Sequence, residues 1–85
     1  MIEMPVVVRQ EKGLDGRPIA LLVQEASQYA SKVYIKVEDK SINAKSIMGM
    51  MSLRLQKGEC ITVVAEGNDE TEAVAGIEDF LVAGN

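Results

Sequence analysis

Alternation of apolar and polar residues with a period of two, and recurrence at three and four, divide this chain into strands and helices. Residues 4–9 (Met-Pro-Val-Val-Val-Arg) read as a first strand, with Pro5 tolerated near its start or at a sheet edge. Glu11, Lys12 and Gly13 turn the chain. Ile19, Leu22, Val23, Ala26 and Ala30 then recur at helical spacing, with Asp15 as the expected N-cap and Pro18 acceptable in the first turn. Ser31 and Lys32 close that segment. Val33, Ile35 and Val37 alternate with Lys32, Lys36 and Glu38, as a half-buried strand should, and a tight turn at 38–40 leads to a short return strand over 41–44.

A second helix is expected to start at Ser46 and to run to Gln56-Lys57-Gly58, where the glycine can take the left-handed conformation that follows a helix. Residues 59–65 form the last strand, with Cys60 packed in it as a small hydrophobe. Asp69 and Glu72 have capping-box spacing, and Ala73, Val74, Ile77, Phe80 and Leu81 make the buried stripe of a closing helix. Gly76 within that helix costs some stability. The order is βαββαβα, an α+β arrangement in which one sheet is covered on one face by helices.

The stretch after Ser46 carries more apolar side chains than one face can hide. At about 100° per residue, Ile47, Met48 and Met51 share one arc, and Met50 and Leu53 share another. A helix on a small domain buries one stripe, so one arc is core and the other is a candidate contact surface. Methionine suits such a surface, because its side chain is flexible and polarizable. The alternative is that both arcs are buried, or that exposed methionines there carry no function. Ser46 itself is a preferred N-cap, and a phosphate there would meet free amide groups and the positive end of the helix dipole.

Composition narrows the function. The 85 residues are enough for one domain with a modest core, and a 47% hydrophobic, 26% charged content is that of a folded soluble protein. A net charge of −4 and 4% aromatic residues argue against direct binding to nucleic acid, by phosphate contacts or by base stacking. No apolar run approaches the ~20 residues of a membrane span and no signal peptide is evident, so a cytoplasmic protein without membrane attachment is expected. With a single cysteine, no internal disulfide forms. The absence of histidine removes the commonest metal ligand, the commonest general base and every phosphohistidine mechanism. There is also no nucleophile–base pair, metal cluster or phosphate-binding glycine loop, so neither a metal, a cofactor nor an enzymatic activity is expected.

Along its whole length the chain resembles the HPr family of the sugar phosphotransferase system. The resemblance is carried by Gly13-Leu14-Asp15-Gly16-Arg17-Pro18, by Asn43-Ala44-Lys45-Ser46-Ile47-Met48, and by Gly67-Asn68-Asp69-Glu70. It implies a single HPr-like domain over residues 1–85, an open-faced β-sandwich with a four-stranded antiparallel sheet and three helices on one face. The family carries its phosphoryl group on a histidine between Gly-Leu and x-Arg-Pro, and Asp15 stands at that position. Sugar-transport phosphotransfer in its usual form therefore lacks its nucleophile. A branch of the family without this histidine, usually with Gln there, keeps the serine motif and works in carbon catabolite repression. The resemblance to that branch implies phosphorylation of Ser46 by HPr kinase/phosphorylase, then action as co-repressor of a LacI-type transcriptional regulator, catabolite control protein A. It makes Ile47, Met48 and Met51 the apolar docking surface, and Arg17 and Lys45 neighbouring basic contacts. Asp15 is the degenerate phosphocarrier position, either a simple cap or a fixed charge that mimics a phosphorylated histidine or pins Arg17. Two other classes stay open: a phosphocarrier-like protein using Asp15 as an acyl-phosphate acceptor, and a direct regulator of a metabolic enzyme. The exposed methionine arc is also compatible with a monomer or a weak homodimer.

Overall fold

A computed structural model describes residues 1–10 and 13–83. The expected turn at 11–13 thus lies largely outside the described residues. Strands β1 (Ile2–Val7), β2 (Lys32–Val37), β3 (Lys40–Asn43) and β4 (Cys60–Glu66) alternate with helices α1 (Arg17–Ser27), α2 (Ile47–Met50) and α3 (Glu70–Ala83) in the anticipated βαββαβα order. The four strands form one antiparallel sheet in the order β1-β4-β2-β3. Pro5 lies in β1, at the sheet edge, where its missing N–H costs no ladder bond on the outer side.

Alternation sorts the sheet into two faces. Val6, Val33, Ile35, Ile61, Val63 and Ala65 point into the core and meet Ile19, Leu22 and Ala26 of α1, Met50 of α2, and Ala73, Val74, Ile77 and Leu81 of α3. The opposite face exposes Glu3, Pro5, Val7, Lys32, Lys36 and Cys60 and carries no helix among the described residues. Cys60 is a correction. It lies in β4 as expected, but its place in the alternation sends Ile61 inward and leaves the thiol exposed.

Three local expectations also change. Asp15 does not cap α1. The N-cap is Gly16, whose φ of 71° and ψ of −119° suit glycine, and no side-chain oxygen caps the first turn. One residue too early, Asp15 has no route to the first-turn amides, and Pro18 supplies no N–H there. α1 also ends sooner than the spacing implied. Ala30 is exposed, and its N–H donates to the Asp69 carboxylate at 2.8 Å instead of continuing the helix.

Asp69 was expected to open α3 in a capping box with Glu72. Its carboxylate instead accepts from the Ala30 N–H, from the Ser31 N–H at 2.9 Å and from the Ser31 hydroxyl. It thereby ties the α1–β2 connection to the start of α3. Glu70 takes over locally, accepting from the Gly67 N–H at 3.1 Å. Both carboxyls are held below the usual range, Asp69 chiefly by the Ser31 hydroxyl and Glu70 chiefly by the Gly67 amide.

α2 is far shorter than expected. It completes one turn to Met50, after which the Ser52 and Leu53 N–H groups donate to the carbonyls three residues back, and Leu55 pairs with Leu14. Leu14 donates to the Leu55 carbonyl at 2.6 Å, and Leu55 donates back at 2.9 Å. A helix cannot continue through a residue whose N–H and C=O are engaged in a β-bridge. Residues 45–55 therefore form a strap with a single helical turn, lying over α1.

Gly76 explains itself by contact. A Cβ there would run into the Tyr29 hydroxyl and lie 2.8 Å from Glu25 Oε2, so α3 meets the end of α1 through a residue with no side chain. Tyr29 donates to Glu25 at 2.9 Å across the same spot. Gly76→Ala should accordingly forgo the ~1 kcal/mol that alanine gains in an open helix. Combined with Tyr29→Ala, the same change is expected to be more favourable by about 1 kcal/mol, a coupling readable by denaturant titration of the double-mutant cycle.

The acid limb of stability follows from Asp69 and Glu70. Their folded-state pKa values are depressed, so the stabilisation is present above the unfolded carboxyl value near pH ~4 and is lost as pH falls through the folded values. Asp69→Ala is expected to lower the melting temperature more at pH 7 than at pH 2. Equal losses at both values, in melts followed by circular dichroism, would exclude the carboxylate as the source.

Candidate functional site

Ser46 ends the loop after β3 in an extended conformation and caps α2 as expected. Its Oγ accepts from the Gly49 N–H at 3.2 Å, and its carbonyl accepts from the Met50 N–H at 2.9 Å. Asn43 sets up this corner from upstream. Its carbonyl accepts from the Ser46 N–H at 3.0 Å, and its side-chain oxygen accepts from the Lys45 N–H at 2.9 Å. Ser46 is half-buried. With only one turn behind it, an anion on Ser46 would be supported by local first-turn amides far more than by a summed helix dipole.

The turn separates the two apolar arcs. Met50 is fully buried and Leu53 nearly so, whereas Met48 is 86% exposed and Ile47 and Met51 are about half exposed, at 46% and 45%. The expectation that one arc is core and the other faces outward holds, and the reading in which both are buried does not. Gly49 allows the tight geometry, with a Cβ there falling 3.3 Å from the Ile42 side chain. The outcome is an apolar patch directly beside a hydroxyl that caps its own turn.

The basic residues are arranged differently from the sequence pattern. Arg17 begins α1 and is exposed. Lys45 is half-buried and donates from Nζ to the Tyr29 carbonyl at 2.5 Å, just beyond the other end of α1. Arg17 thus stands at one end of α1 and the Lys45 ammonium at the other, with a helix roughly 16 Å long between them. Arg17 and Lys45 do not converge.

A residue that the sequence reading passed over stands near Asp15 instead. Arg54 Nε lies 3.5 Å from Asp15 Oδ2, with both side chains mostly exposed. The Leu14–Leu55 bridge brings them together, and no local spacing could have announced a pair 39 residues apart. The cation beside Asp15 is therefore Arg54. Among the described residues, no group of three or more His, Cys, Asp or Glu could hold a metal, and no helix is long and apolar enough to cross a membrane.

An exposed pair of this kind contributes little to stability. Asp15→Ala is expected to change unfolding free energy by less than about 0.5 kcal/mol, unlike the loss of a true N-cap at about 1 kcal/mol. Urea titration of the variant distinguishes the two.

Comparison with known proteins agrees with this geometry. The pattern of the family described as "PTS HPr component phosphorylation site" matches residues 2–83. The HPr-like protein Crh of Halalkalibacterium halodurans is 47% identical over 81 residues, covering 95% of this chain and 96% of that protein. In three dimensions the chain is similar to HPr-C-His of Thermoanaerobacter tengcongensis, with a TM-score of 0.90 and 39% identity over 99% of this chain and 94% of the other. It is also similar to Crh of Bacillus subtilis, a catabolite-repression protein whose crystal structure shows a dimer with a swapped domain, at a TM-score of 0.77 and 41% identity over 100% of this chain and 98% of that one.

Proposed function

The chain belongs to the HPr family, and on that premise we propose that it is a regulatory protein of carbon catabolite repression. HPr kinase/phosphorylase phosphorylates Ser46, and the phosphorylated protein docks on a LacI-type transcriptional regulator, catabolite control protein A, as its co-repressor. It acts in the cytoplasm as a single HPr-like domain and has no catalytic chemistry of its own.

The observation that carries this reading is the juxtaposition of Ser46 with Ile47, Met48 and Met51. The hydroxyl caps the very turn whose outer side is apolar and solvent-facing. A phosphate adds roughly −1.5 to −2 charges and strong acceptor oxygens, which suit Arg or Lys on a partner. The methionines supply adaptable contact beside it. Phosphate and patch are then read together, as one charged and one apolar contact.

Support for an Asp15 phosphocarrier is weaker. The chain has no histidine to accept or relay the group, and Arg54 lies against the Asp15 carboxylate. Arg17, exposed at the start of α1, remains the basic contact available to a partner. The swapped dimer of Bacillus subtilis Crh and the edge position of β1 here support a weak homodimer as well as a monomer.

Incubation with purified HPr kinase/phosphorylase and a nucleotide donor is expected to add one phosphate by intact mass, and none to Ser46→Ala. A folded protein that takes up no phosphate overturns the reading. Hydroxylamine-sensitive label from phosphoenolpyruvate and the first transport enzyme would transfer the function to Asp15.

A further inference from the structure

Lys45 is next to the proposed phosphoacceptor, yet its charge is directed inward. Its Nζ donates to the Tyr29 carbonyl at 2.5 Å. Tyr29 lies just past the C-terminal end of α1, whose last turn contains no basic residue. The end of a helix carries partial negative charge that favours a cation close by, and the Tyr29 carbonyl just beyond it supplies the acceptor. Lys45 supplies the cation from the loop that leads into Ser46.

The backbone on either side of Lys45 is fixed too. Asn43 Oδ1 accepts from the Lys45 N–H, and the Asn43 carbonyl accepts from the Ser46 N–H. At its far end the strap is held by the two Leu14–Leu55 backbone bonds. The strap is thus fastened at both ends of α1, by a lysine ammonium at the serine end and by a β-bridge at the other. Between the two anchors, Met50 and Leu53 turn inward while Met48 faces solvent.

We infer that Lys45 is a positioning residue, which fastens the loop before Ser46 to the C-terminal end of α1 and so presets the serine turn for phosphorylation. The second half of this statement rests on the Ser46 reading above; the anchor itself does not. In this role Lys45 serves the surface from beneath rather than as a contact for the partner.

The test compares unmodified protein with Lys45→Met, which keeps the aliphatic stem and removes the ammonium, and with Lys45→Arg, which restores a cation. Lys36→Met, on the open face of the sheet, controls for loss of charge alone. Amide hydrogen exchange reads the anchor in the unphosphorylated protein. Lys45→Met is expected to accelerate exchange at Gly49 and Met50 by roughly fivefold, the scale of one lost hydrogen bond, while Leu55 keeps its protection. Lys45→Arg should recover most of it. The rate of phosphorylation by HPr kinase/phosphorylase should fall in the Met variant and recover in the Arg variant.

Unaltered exchange at Gly49 and Met50 overturns the anchor, and slowed phosphorylation in that case marks Lys45 as a direct kinase contact. Accelerated exchange with an unaltered phosphorylation rate overturns the positioning role. Accelerated exchange in a chain that is never phosphorylated, even unmodified, supports the anchor and refutes only the Ser46 reading.

Discussion

The backbone pairing of Leu14 with Leu55 is the constraint on which the strap and its exposed apolar side depend. It engages the N–H and C=O of both residues, so no helix can run on through Leu55. A longer helix would rotate its side chains through every direction within two turns. A strap with one turn instead presents a fixed inner side, Met50 and Leu53, and a fixed outer side, Ile47, Met48 and Met51. The same bridge sets Arg54 against Asp15. One β-bridge thereby shapes the apolar patch and fixes which cation neighbours the position where the family has a histidine.

What the amino-acid sequence disclosed, and what it withheld, follow from the range of each interaction. Strand alternation at Val33, Ile35 and Val37, the helical spacing of Ile19, Leu22, Val23 and Ala26, and the Ser46 cap are local, and each was legible. The split of the methionine arc was legible for the same reason, since one turn is enough to separate Met50 from Met48. Two of the failures involve partners distant in sequence. Asp69 resembles a cap by spacing, but Ser31 and Ala30 claim its carboxylate from 38 and 39 residues away. α2 reads as a long helix until Leu14 intervenes. Asp15 failed as a cap for a local reason that was present in the sequence: Gly16 stands between it and the helix, and its positive φ makes Gly16 the cap.

The candidate site shows the same division. Ser46 and the three outward apolar residues occupy one short stretch, and their arrangement could be read directly. The basic residues could not. Lys45 neighbours Ser46 in sequence, but its ammonium is engaged by Tyr29, whereas Arg17 lies near the opposite end of α1. Sequence adjacency to Ser46 did not announce the Tyr29 contact. These facts suit the proposed role in recognition: a chain without histidine displays an apolar patch beside the Ser46 hydroxyl.

The central claim is that a phosphate on Ser46 and the methionine patch act as one recognition surface. The most direct measurement is calorimetric titration of the LacI-type regulator with this protein, unphosphorylated and phosphorylated on Ser46. The account predicts that phosphorylation lowers Kd by at least about tenfold, the scale of one or two charge-assisted hydrogen bonds. Equal affinity of the two forms, with the phosphate confirmed by mass and the fold intact, would contradict it.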